Sequence, residues 1–220
     1  MPRLVEIRRS VMEADEEIAH RLREMLDRRG VLMLNLIGSP GSGKTTLLER
    51  SLIDPPFRSA VIEGDVETTR DLDRIKAIGV PVVQINTHGG CHLEANLVEK
   101  ALERLPEDVD VIFIENVGNL VCPAEFYLGE DHKVAICSVA EGGDKPLKYP
   151  SLFHQASAVV LTKVDLKPYV PFDEVTFWGD VDKLNPKAAR LEVSAIKGEG
   201  ISKWIDLVGG WLCAKRERGS

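Results

Sequence analysis

The sequence predicts an α/β domain built on a mostly parallel β-sheet with helices on both faces. Apolar runs of strand length alternate with helix-like segments, and the runs are almost continuously apolar, as expected for strands buried on both sides. The 220 residues, 44% of them hydrophobic, suit one soluble domain of ordinary size. No apolar run approaches the length that crosses a bilayer, which excludes a membrane-spanning protein.

A glycine-rich loop at residues 38–45 specifies the kind of α/β domain. It reads Gly-Ser-Pro-Gly-Ser-Gly-Lys-Thr, the pattern G-x-x-x-x-G-K-T, between an apolar strand and a helix-like segment. Its backbone N–H groups and the helix N-terminus bind phosphates, Lys44 reaches the β- and γ-phosphates in catalysis, and the Thr45 hydroxyl ligates Mg²⁺. We therefore predict a P-loop NTPase. The predicted nucleotide-binding residues here are Gly41, Ser42, Gly43, Lys44, Thr45 and Thr46.

Residues 1–29 are predicted to form an N-terminal helix that packs on this domain. Their apolar side chains recur on one helical face, and Gly30 follows where a C-terminal cap belongs. The alternative is an arm that binds a partner. We divide the chain into this helix, a P-loop domain at 30–214 and a polar tail at 215–220.

The remaining elements follow from hydrophobic periodicity and from breakers such as Asp-Pro-Pro at 54–56 and Gly79. Strands are predicted at 31–37, 60–62, 81–85, 109–114, 133–139, 158–161 and 190–194. Helices are predicted at 45–52, 68–78, 93–105, 173–184 and 201–214, with a short helix after the loop 141–144.

Polar residues follow several strands, at the sheet edge where parallel sheets bind ligands. Glu115 is predicted to hold the Mg²⁺ shell, and the Gly118 N–H to sense the γ-phosphate in catalysis. Asp65, after another strand, is a second candidate for Mg²⁺ and for catalysis. Asp71 is a catalytic candidate that either positions the attacking water or lies on a solvated helix face.

The stretch 162–165, Thr-Lys-Val-Asp, predicts selection of guanine at a further strand end. The Asp165 carboxylate can accept from N1–H and the 2-amino group of guanine, two donors that adenine lacks. The Lys163 stem can cover the purine plane, and Ser194-Ala195 resembles the loop whose N–H meets guanine O6. GTP-binding proteins usually have Asn-Lys-x-Asp, so Thr162 departs from the pattern. We expect GTP rather than ATP.

Two cysteines and a histidine form the candidate metal site. Cys91 and His92 precede one helix, and Cys122 follows a strand end, so their loops are expected at one rim of the sheet. Thiolate and imidazole suit Zn²⁺ or Ni²⁺, with a fourth position left to water or a second subunit. The alternative is small buried side chains in tight loops. Cys137 and Cys213 are predicted to lie in the core.

Charge and cysteine usage restrict location and partners. The net charge of −7 is opposite to the basic footprint of general nucleic-acid binding. The N-terminal residues lead into charged side chains rather than a signal-type apolar stretch, so the four cysteines are expected as thiols or metal ligands. We expect a cytoplasmic protein that binds neither nucleic acid nor membrane.

Three stretches carry a family resemblance. Residues 114–124 read Ile-Glu-Asn-Val-Gly-Asn-Leu-Val-Cys-Pro-Ala, residues 90–95 Gly-Cys-His-Leu-Glu-Ala, and residues 141–150 Glu-Gly-Gly-Asp-Lys-Pro-Leu-Lys-Tyr-Pro. They resemble the hydrogenase nickel-incorporation GTPases, the HypB family, from about Val31 to the last helix. The urease accessory GTPases share the phosphate loop but have a different cysteine motif, Cys-Pro-His.

The resemblance implies a GTP-hydrolysing metallochaperone that delivers nickel to [NiFe]-hydrogenase. It implies GTP or GDP and Mg²⁺ as cofactors, Ni²⁺ or Zn²⁺ at Cys91, His92 and Cys122, and a GTP-promoted homodimer. The partners would be the hydrogenase large subunit and a nickel chaperone. Some members carry an N-terminal extension rich in cysteine or histidine that binds nickel. Residues 1–30 here contain one histidine, His20, and no cysteine, so we expect no such nickel site in them.

Three other hypotheses remain open from the sequence. The chain could mature another nickel enzyme such as urease, or use GTP only to dimerise. A small-molecule kinase shares the phosphate loop, although no basic lid with clustered arginines follows the core strands.

Overall fold

The computed structural model describes residues 2–65 and 70–218, with side chains from residue 12 onward except at 65 and 70. Its strands are β1 (Leu32–Gly38), β2 (Ser59–Asp65), β3 (Val82–Asn86), β4 (Val111–Glu115), β5 (His132–Ser138), β6 (Ala156–Thr162) and β7 (Ala189–Val193). Within the described residues they form one sheet in the order β3-β2-β4-β1-β5-β6-β7, and every neighbouring pair is parallel. The predicted parallel α/β fold is confirmed.

Helices connect these strands and cover both faces of the sheet. They are α1 (Pro2–Arg29), α2 (Lys44–Ser51), α3 (Arg70–Ala77), α4 (Ala95–Leu102), α5 (Cys122–Glu125), α6 (Lys145–Lys148), α7 (Pro150–Gln155), α8 (Glu174–Leu184) and α9 (Ile201–Arg218). The first two residues of the helix predicted at 68–78 lie outside the described residues. No described helix has the combined length and apolarity needed to span a bilayer.

The central strand β1 supplies side chains to the cores on both faces of the sheet. Leu34 and Leu36 pack in a cluster that contains Trp204 of α9, while Met33 packs in a second cluster with Leu26 of α1. All five side chains are fully buried. The alternation follows from the two-residue period of a strand, and both faces are apolar because both are covered.

The N-terminal helix α1 is attached to α4 by packing and by a helix cap. Ala19 and Leu22 of α1 are buried, and the Asp15 carboxylate accepts hydrogen bonds from the N–H groups of Ala95 (3.0 Å) and Asn96 (3.1 Å). These groups begin α4 and have no acceptor within their own helix. The division into 1–29, 30–214 and 215–220 stays a prediction.

The helix predicted at 201–214 is longer in the structure, because α9 continues to Arg218 and so includes the first four residues of the predicted tail. Lys215 is buried, and its ammonium group lies 2.8 Å from Asp131 and 2.9 Å from Asp27. Asp131 also pairs with Arg23 of α1 at 2.8 Å. A lysine can be buried when carboxylates compensate its charge. The sequence alone indicated a surface residue, because lysine is polar and its carboxylate partners are distant along the chain. Residues 219 and 220 lie outside the described part of the chain.

The two cysteines predicted in the core have different positions. Cys137 in β5 is buried, as predicted, whereas Cys213 in α9 is exposed, so that prediction is wrong. The buried residues of α9 are Trp204, Val208, Leu212 and Lys215. Cys213 lies off this stripe, since a helix buries positions three or four residues apart.

We predict that Lys215→Met lowers the free energy of unfolding by about 3 kcal/mol, because it removes one partner of the buried Asp131 carboxylate. Urea unfolding followed by circular dichroism measures the change. The control is Arg28→Met, since Arg28 and Glu24 form a pair in which both side chains are 72% exposed. We expect the control to change by less than about 0.5 kcal/mol. Equal effects in the two variants would contradict a structural role for the buried pair.

A phosphate pocket beside a thiol–imidazole cluster

A cavity of about 490 Å³ lies at the carboxyl edge of the sheet, where the phosphate loop meets the ends of β2 and β4. Parallel strands end at one edge, so polar residues far apart in the sequence converge there. Nine of the predicted site residues line the cavity. They are Gly41, Gly43, Lys44, Thr45, Thr46, Asp71, Glu115, Gly118 and Lys163.

The phosphate loop has the backbone conformation that its glycines permit. Gly41 and Gly43 have φ angles of 75° and 95°, a region that disfavours residues with a side chain. Ser42 between them is buried. The Lys44 ammonium group donates to the carbonyls of Gly38 (3.1 Å) and Ser39 (3.3 Å), and burial lowers its pKa. Phosphate oxygens could replace these carbonyls as acceptors.

Two of the three residues predicted to hold Mg²⁺, Thr45 and Glu115, are joined directly. The Thr45 hydroxyl donates to Glu115 Oε1 at 2.7 Å, and burial raises the pKa of Glu115 to about 7. Among the described residues, Glu115 Oε2 is buried and has no hydrogen-bond partner. The hydroxyl and carboxylate are hard oxygen donors of the type that Mg²⁺ requires, so the residues present fit this ion.

Asp65, Asp71 and Gly118 were predicted to surround the γ-phosphate. Asp65 ends β2, but its side chain lies outside the described part. Asp71 lines the cavity and pairs with Arg74 at 3.0 Å. A Cβ atom on Gly118 would lie 2.6 Å from Pro40 Cγ. Glycine at this position therefore allows the backbone to pack directly on the phosphate loop.

The residues predicted to read the base meet at the ends of β6 and β7. The Ser194 hydroxyl donates to Asp165 Oδ1 at 2.6 Å, which fixes the carboxylate, and Ala195 follows on the same loop. Lys163 has a positive φ of 56°, and its ammonium group donates to the Gly41 carbonyl at 2.7 Å. The loop predicted to read the base is thus attached to the phosphate loop.

Thr162, which departs from the usual guanine motif, has a structural role. Its buried hydroxyl contacts the carbonyl of Ser42 at 2.5 Å and that of Cys137 at 3.2 Å. A Cβ atom on Gly43 would lie 3.3 Å from the same hydroxyl oxygen. A small side chain with one donor therefore fits between the phosphate loop and β5.

The predicted metal residues come together beside this cavity. One ligand atom each from Cys91, His92 and Cys122 lies within 4.8 Å of the other two. The thiols of Cys91 and Cys122 are 3.0 Å apart, and their hydrogen bond is the main cause that raises the pKa of Cys91. The His92 ring stacks on Phe126 with centroids 3.7 Å apart. Two thiols and an imidazole are a donor set for Zn²⁺ or Ni²⁺.

Asn119 joins the cavity wall to the thiol–imidazole cluster. Its side-chain amide donates to the Cys91 carbonyl at 3.1 Å and accepts from the Val121 N–H at 2.9 Å. Asn119 directly follows Gly118, and Cys122 directly follows Val121. Segment 118–122 therefore begins on the phosphate loop and ends at the cluster.

Sequence reasoning missed several residues of the site. Pro40, Glu63, Arg74, Asn116 and Asn119 all line the cavity or contact the cluster. The available signal for Glu63 was its place directly after the strand predicted at 60–62, since ligands of parallel sheets bind at strand ends. Arg74 and Asn119 carried no signal in a single sequence, because their partners are set by tertiary contacts.

We predict that Glu115 makes the nucleotide-free protein less stable as the pH rises. Its pKa is about 7 in the folded chain against the ordinary 4.5, so the folded state binds the extra proton between these values. The associated stability is full below pH 4.5 and is lost as the pH rises through 7. In Glu115→Gln, the loss of unfolding free energy between pH 5 and 8 should be smaller by about 3 kcal/mol.

Urea unfolding in the presence of a chelator measures this difference. Glu103→Gln is the control, since Glu103 is an exposed glutamate. An unchanged pH dependence in Glu115→Gln would show that Glu115 has an ordinary pKa.

Comparison with known proteins identifies the family of this chain. The family model described as "CobW/HypB/UreG, nucleotide-binding domain" matches residues 32–192. The hydrogenase maturation factor HypB of Escherichia coli (strain K12) is 47% identical, over 96% of this chain and 74% of that protein. The hydrogenase/urease maturation factor HypB of Helicobacter hepaticus is 39% identical, over 93% of this chain and 86% of that protein.

A solved structure agrees with these sequence matches. The crystal structure of HypB from Helicobacter pylori in complex with nickel superposes with a TM-score of 0.87 at 37% identity, covering 94% of this chain and 97% of that one. The match of residues 32–192 includes the phosphate loop, Lys163 and Asp165, and the thiol–imidazole cluster, while Ser194 and Ala195 lie beyond its end. The chain belongs to the CobW/HypB/UreG nucleotide-binding family, among the HypB hydrogenase maturation factors.

Proposed function

We propose that this protein hydrolyses GTP and couples its nucleotide state to nickel delivery into [NiFe]-hydrogenase. The observation that carries the proposal is the position of segment 118–122. These five residues run from the phosphate loop to the thiol–imidazole cluster. A change at the γ-phosphate can reach Cys122 along the chain and Cys91 through Asn119. Such a segment acts as a switch when γ-phosphate contacts hold one of its two positions.

Phosphate binding and hydrolysis are assigned to the cavity. Lys44 binds the β- and γ-phosphates, while the backbone around Gly41–Thr46 and the start of α2 surround them. Thr45 and Glu115 would hold Mg²⁺, with Asp65 as a further candidate. The ion, when bound, neutralises charge between the phosphates. The Gly118 N–H senses the γ-phosphate, and Asp71 orients the attacking water.

The choice of GTP over ATP is assigned to Asp165. Its carboxylate is fixed by Ser194 and would accept both guanine donors, while the Lys163 stem covers the purine and the Ala195 N–H meets O6. With adenine the carboxylate would lose these donors, which is a costly mismatch.

Nickel is the cargo of the proposed cycle, and the cluster Cys91, His92 and Cys122 is its carrier. Three donors leave a coordination position for water or for a second protomer, which supports a GTP-promoted homodimer that meets at this rim. The solved relative from Helicobacter pylori contains nickel, which favours Ni²⁺ over Zn²⁺. We propose the hydrogenase large subunit and a nickel chaperone as partners, in the cytoplasm.

A second client is favoured by one comparison. The Helicobacter hepaticus relative is named a hydrogenase/urease maturation factor. Nickel delivered from the same cluster could therefore also serve urease. Activation of each apo-enzyme by the nickel-loaded protein would distinguish the two clients.

We expect Cys122→Ala to lower Ni²⁺ affinity by more than about tenfold, because it removes a proposed ligand. Replacing a residue that only hydrogen-bonds to a ligand already lowers metal affinity by about that factor. Calorimetry with GDP and with a non-hydrolysable GTP analogue should give different Ni²⁺ affinities for the unaltered chain, and one Ni²⁺ per cluster. Cys213→Ala is the matched control, since Cys213 is an exposed cysteine outside the cluster. If neither nucleotide nor Cys122 changes the affinity, the proposed coupling is incorrect.

We expect Asp165→Asn to shift the preference from GTP toward XTP, whose 2-oxo group accepts where guanine donates. Competition between the two nucleotides for the purified chain measures the preference. Asp206→Asn makes the same chemical change at an exposed position of α9 and should retain the preference for GTP. GTP outcompeting XTP in Asp165→Asn would remove Asp165 as the guanine reader.

A further inference from the structure

Arg74 is an arginine of the cavity wall that has no role in the proposed mechanism. It lies on α3, its side chain is 39% exposed, and it lines the cavity together with Asp71 and Thr46. Its guanidinium group holds three side chains at once. Nη1 donates to Asp71 Oδ1 (3.0 Å), Nη2 to Thr46 Oγ1 (3.0 Å), and Nε and Nη2 to the two oxygens of Glu49 (2.9 and 2.5 Å).

The bidentate pair with Glu49 fixes the plane of the guanidinium group. Glu49 lies on α2, one turn after Thr46, so the pair joins the helix that follows the phosphate loop to α3. An arginine fork paired on one side presents its remaining N–H groups in fixed directions. Here those groups meet Asp71 and Thr46, the two partners that line the cavity.

The contacts have different consequences for the two cavity residues. Thr46 Oγ1 accepts from Arg74, so the hydroxyl proton of Thr46 is available to a phosphate oxygen. Asp71 is held by a charge-assisted bond to its neighbour one turn along α3, which selects one orientation of its carboxylate at the cavity wall. Clamping α2 to α3 needs only the pair with Glu49.

We propose that Arg74 is a positioning residue for phosphoryl chemistry, which orients the Asp71 carboxylate in the cavity through their hydrogen bond. This inference rests on the proposed GTP hydrolysis and extends it. A lysine cannot replace the fork, because one ammonium group does not present fixed N–H directions to three side chains. Arg74 therefore acts on turnover more than on GTP binding, for which the phosphate loop supplies its own donors.

The test measures steady-state GTP hydrolysis by the full chain and by three single variants. Arg74→Gln should lower kcat by about tenfold or more, the effect of losing one charge-assisted hydrogen bond, with KM for GTP changed by less than about threefold. Arg74→Lys should not restore kcat. Glu49→Ala removes the pair that fixes the guanidinium plane but leaves the bonds from Arg74 to Asp71 and Thr46, so it should lower kcat by less than Arg74→Gln does.

A double-mutant cycle tests the route through Asp71. If Arg74 acts by orienting this carboxylate, adding Arg74→Gln to Asp71→Asn should lower kcat by less than about twofold further. Urea unfolding of each variant confirms that it is folded, and Arg74→Lys replaces Arg74→Gln in the cycle if the latter is not.

The outcomes separate this inference from the proposed function. Equal losses in Arg74→Gln and Glu49→Ala would make Arg74 a structural clamp, and additive losses with Asp71→Asn would make it act independently of Asp71. Either result overturns the inference while GTP hydrolysis stands. Absence of GTP turnover in the unaltered chain would overturn the proposed function and this inference together.

Discussion

The contact between Gly118 and Pro40 is the constraint on which the site depends. A Cβ atom on residue 118 would lie 2.6 Å from the Pro40 side chain, so only a glycine backbone can approach the phosphate loop this closely. The parallel sheet brings residue 118 to the phosphate loop, because β1 and β4 are adjacent and their carboxyl ends lie together. The segment that leaves β4 must therefore pass over the phosphate loop before it reaches the cysteine cluster.

Both ends of this segment are held by polar contacts. At its start, the Asn116 amide donates to Asn35 Oδ1 at 3.0 Å, and Asn35 donates to Glu130 Oε1 at 3.3 Å, all within the buried interior. After its end, Lys133 donates to the Ala124 carbonyl of α5 at 2.6 Å. Satisfied buried networks are rigid. These two anchors confine the nucleotide-dependent movement that we propose to the residues between them.

The sequence predicted the sheet and the phosphate loop well for physical reasons. Strands buried on both faces must be apolar throughout, and a loop that surrounds phosphate needs glycines at positive φ, so both leave marks in a single sequence. The chain also shows why Cys91, His92 and Cys122 were found as a group. They are thiol and imidazole donors at loop positions, and parallel strand ends bring such loops together.

Long-range pairing is what the sequence could not reveal. Lys215 has the polarity of a surface residue, and its burial depends on Asp131, 84 positions away. Thr162 departs from the guanine motif without a reason visible in the sequence, because its contact with Ser42 depends on how β6 meets the phosphate loop. Arg74 falls in the same class, since an arginine on an amphipathic helix is normally a solvated residue. The positions and contacts of such side chains depend on partners that are distant in the sequence, and the neighbouring residues in the sequence do not reveal them.

The cavity contains a buried cationic group, Lys44, and a buried anionic group, Glu115, and is therefore suited to a ligand that has both negative and positive charge. Burial lowers the pKa of Lys44 and raises that of Glu115, so both charged forms are disfavoured in the nucleotide-free chain. A phosphate next to Lys44 and a cation next to Glu115 each reverse this effect, and binding one improves the site for the other. These pKa shifts support the proposal that a metal–nucleotide complex binds in the cavity better than either component alone. A preorganised site of this kind reduces the stability of the free protein, and its ligand restores it.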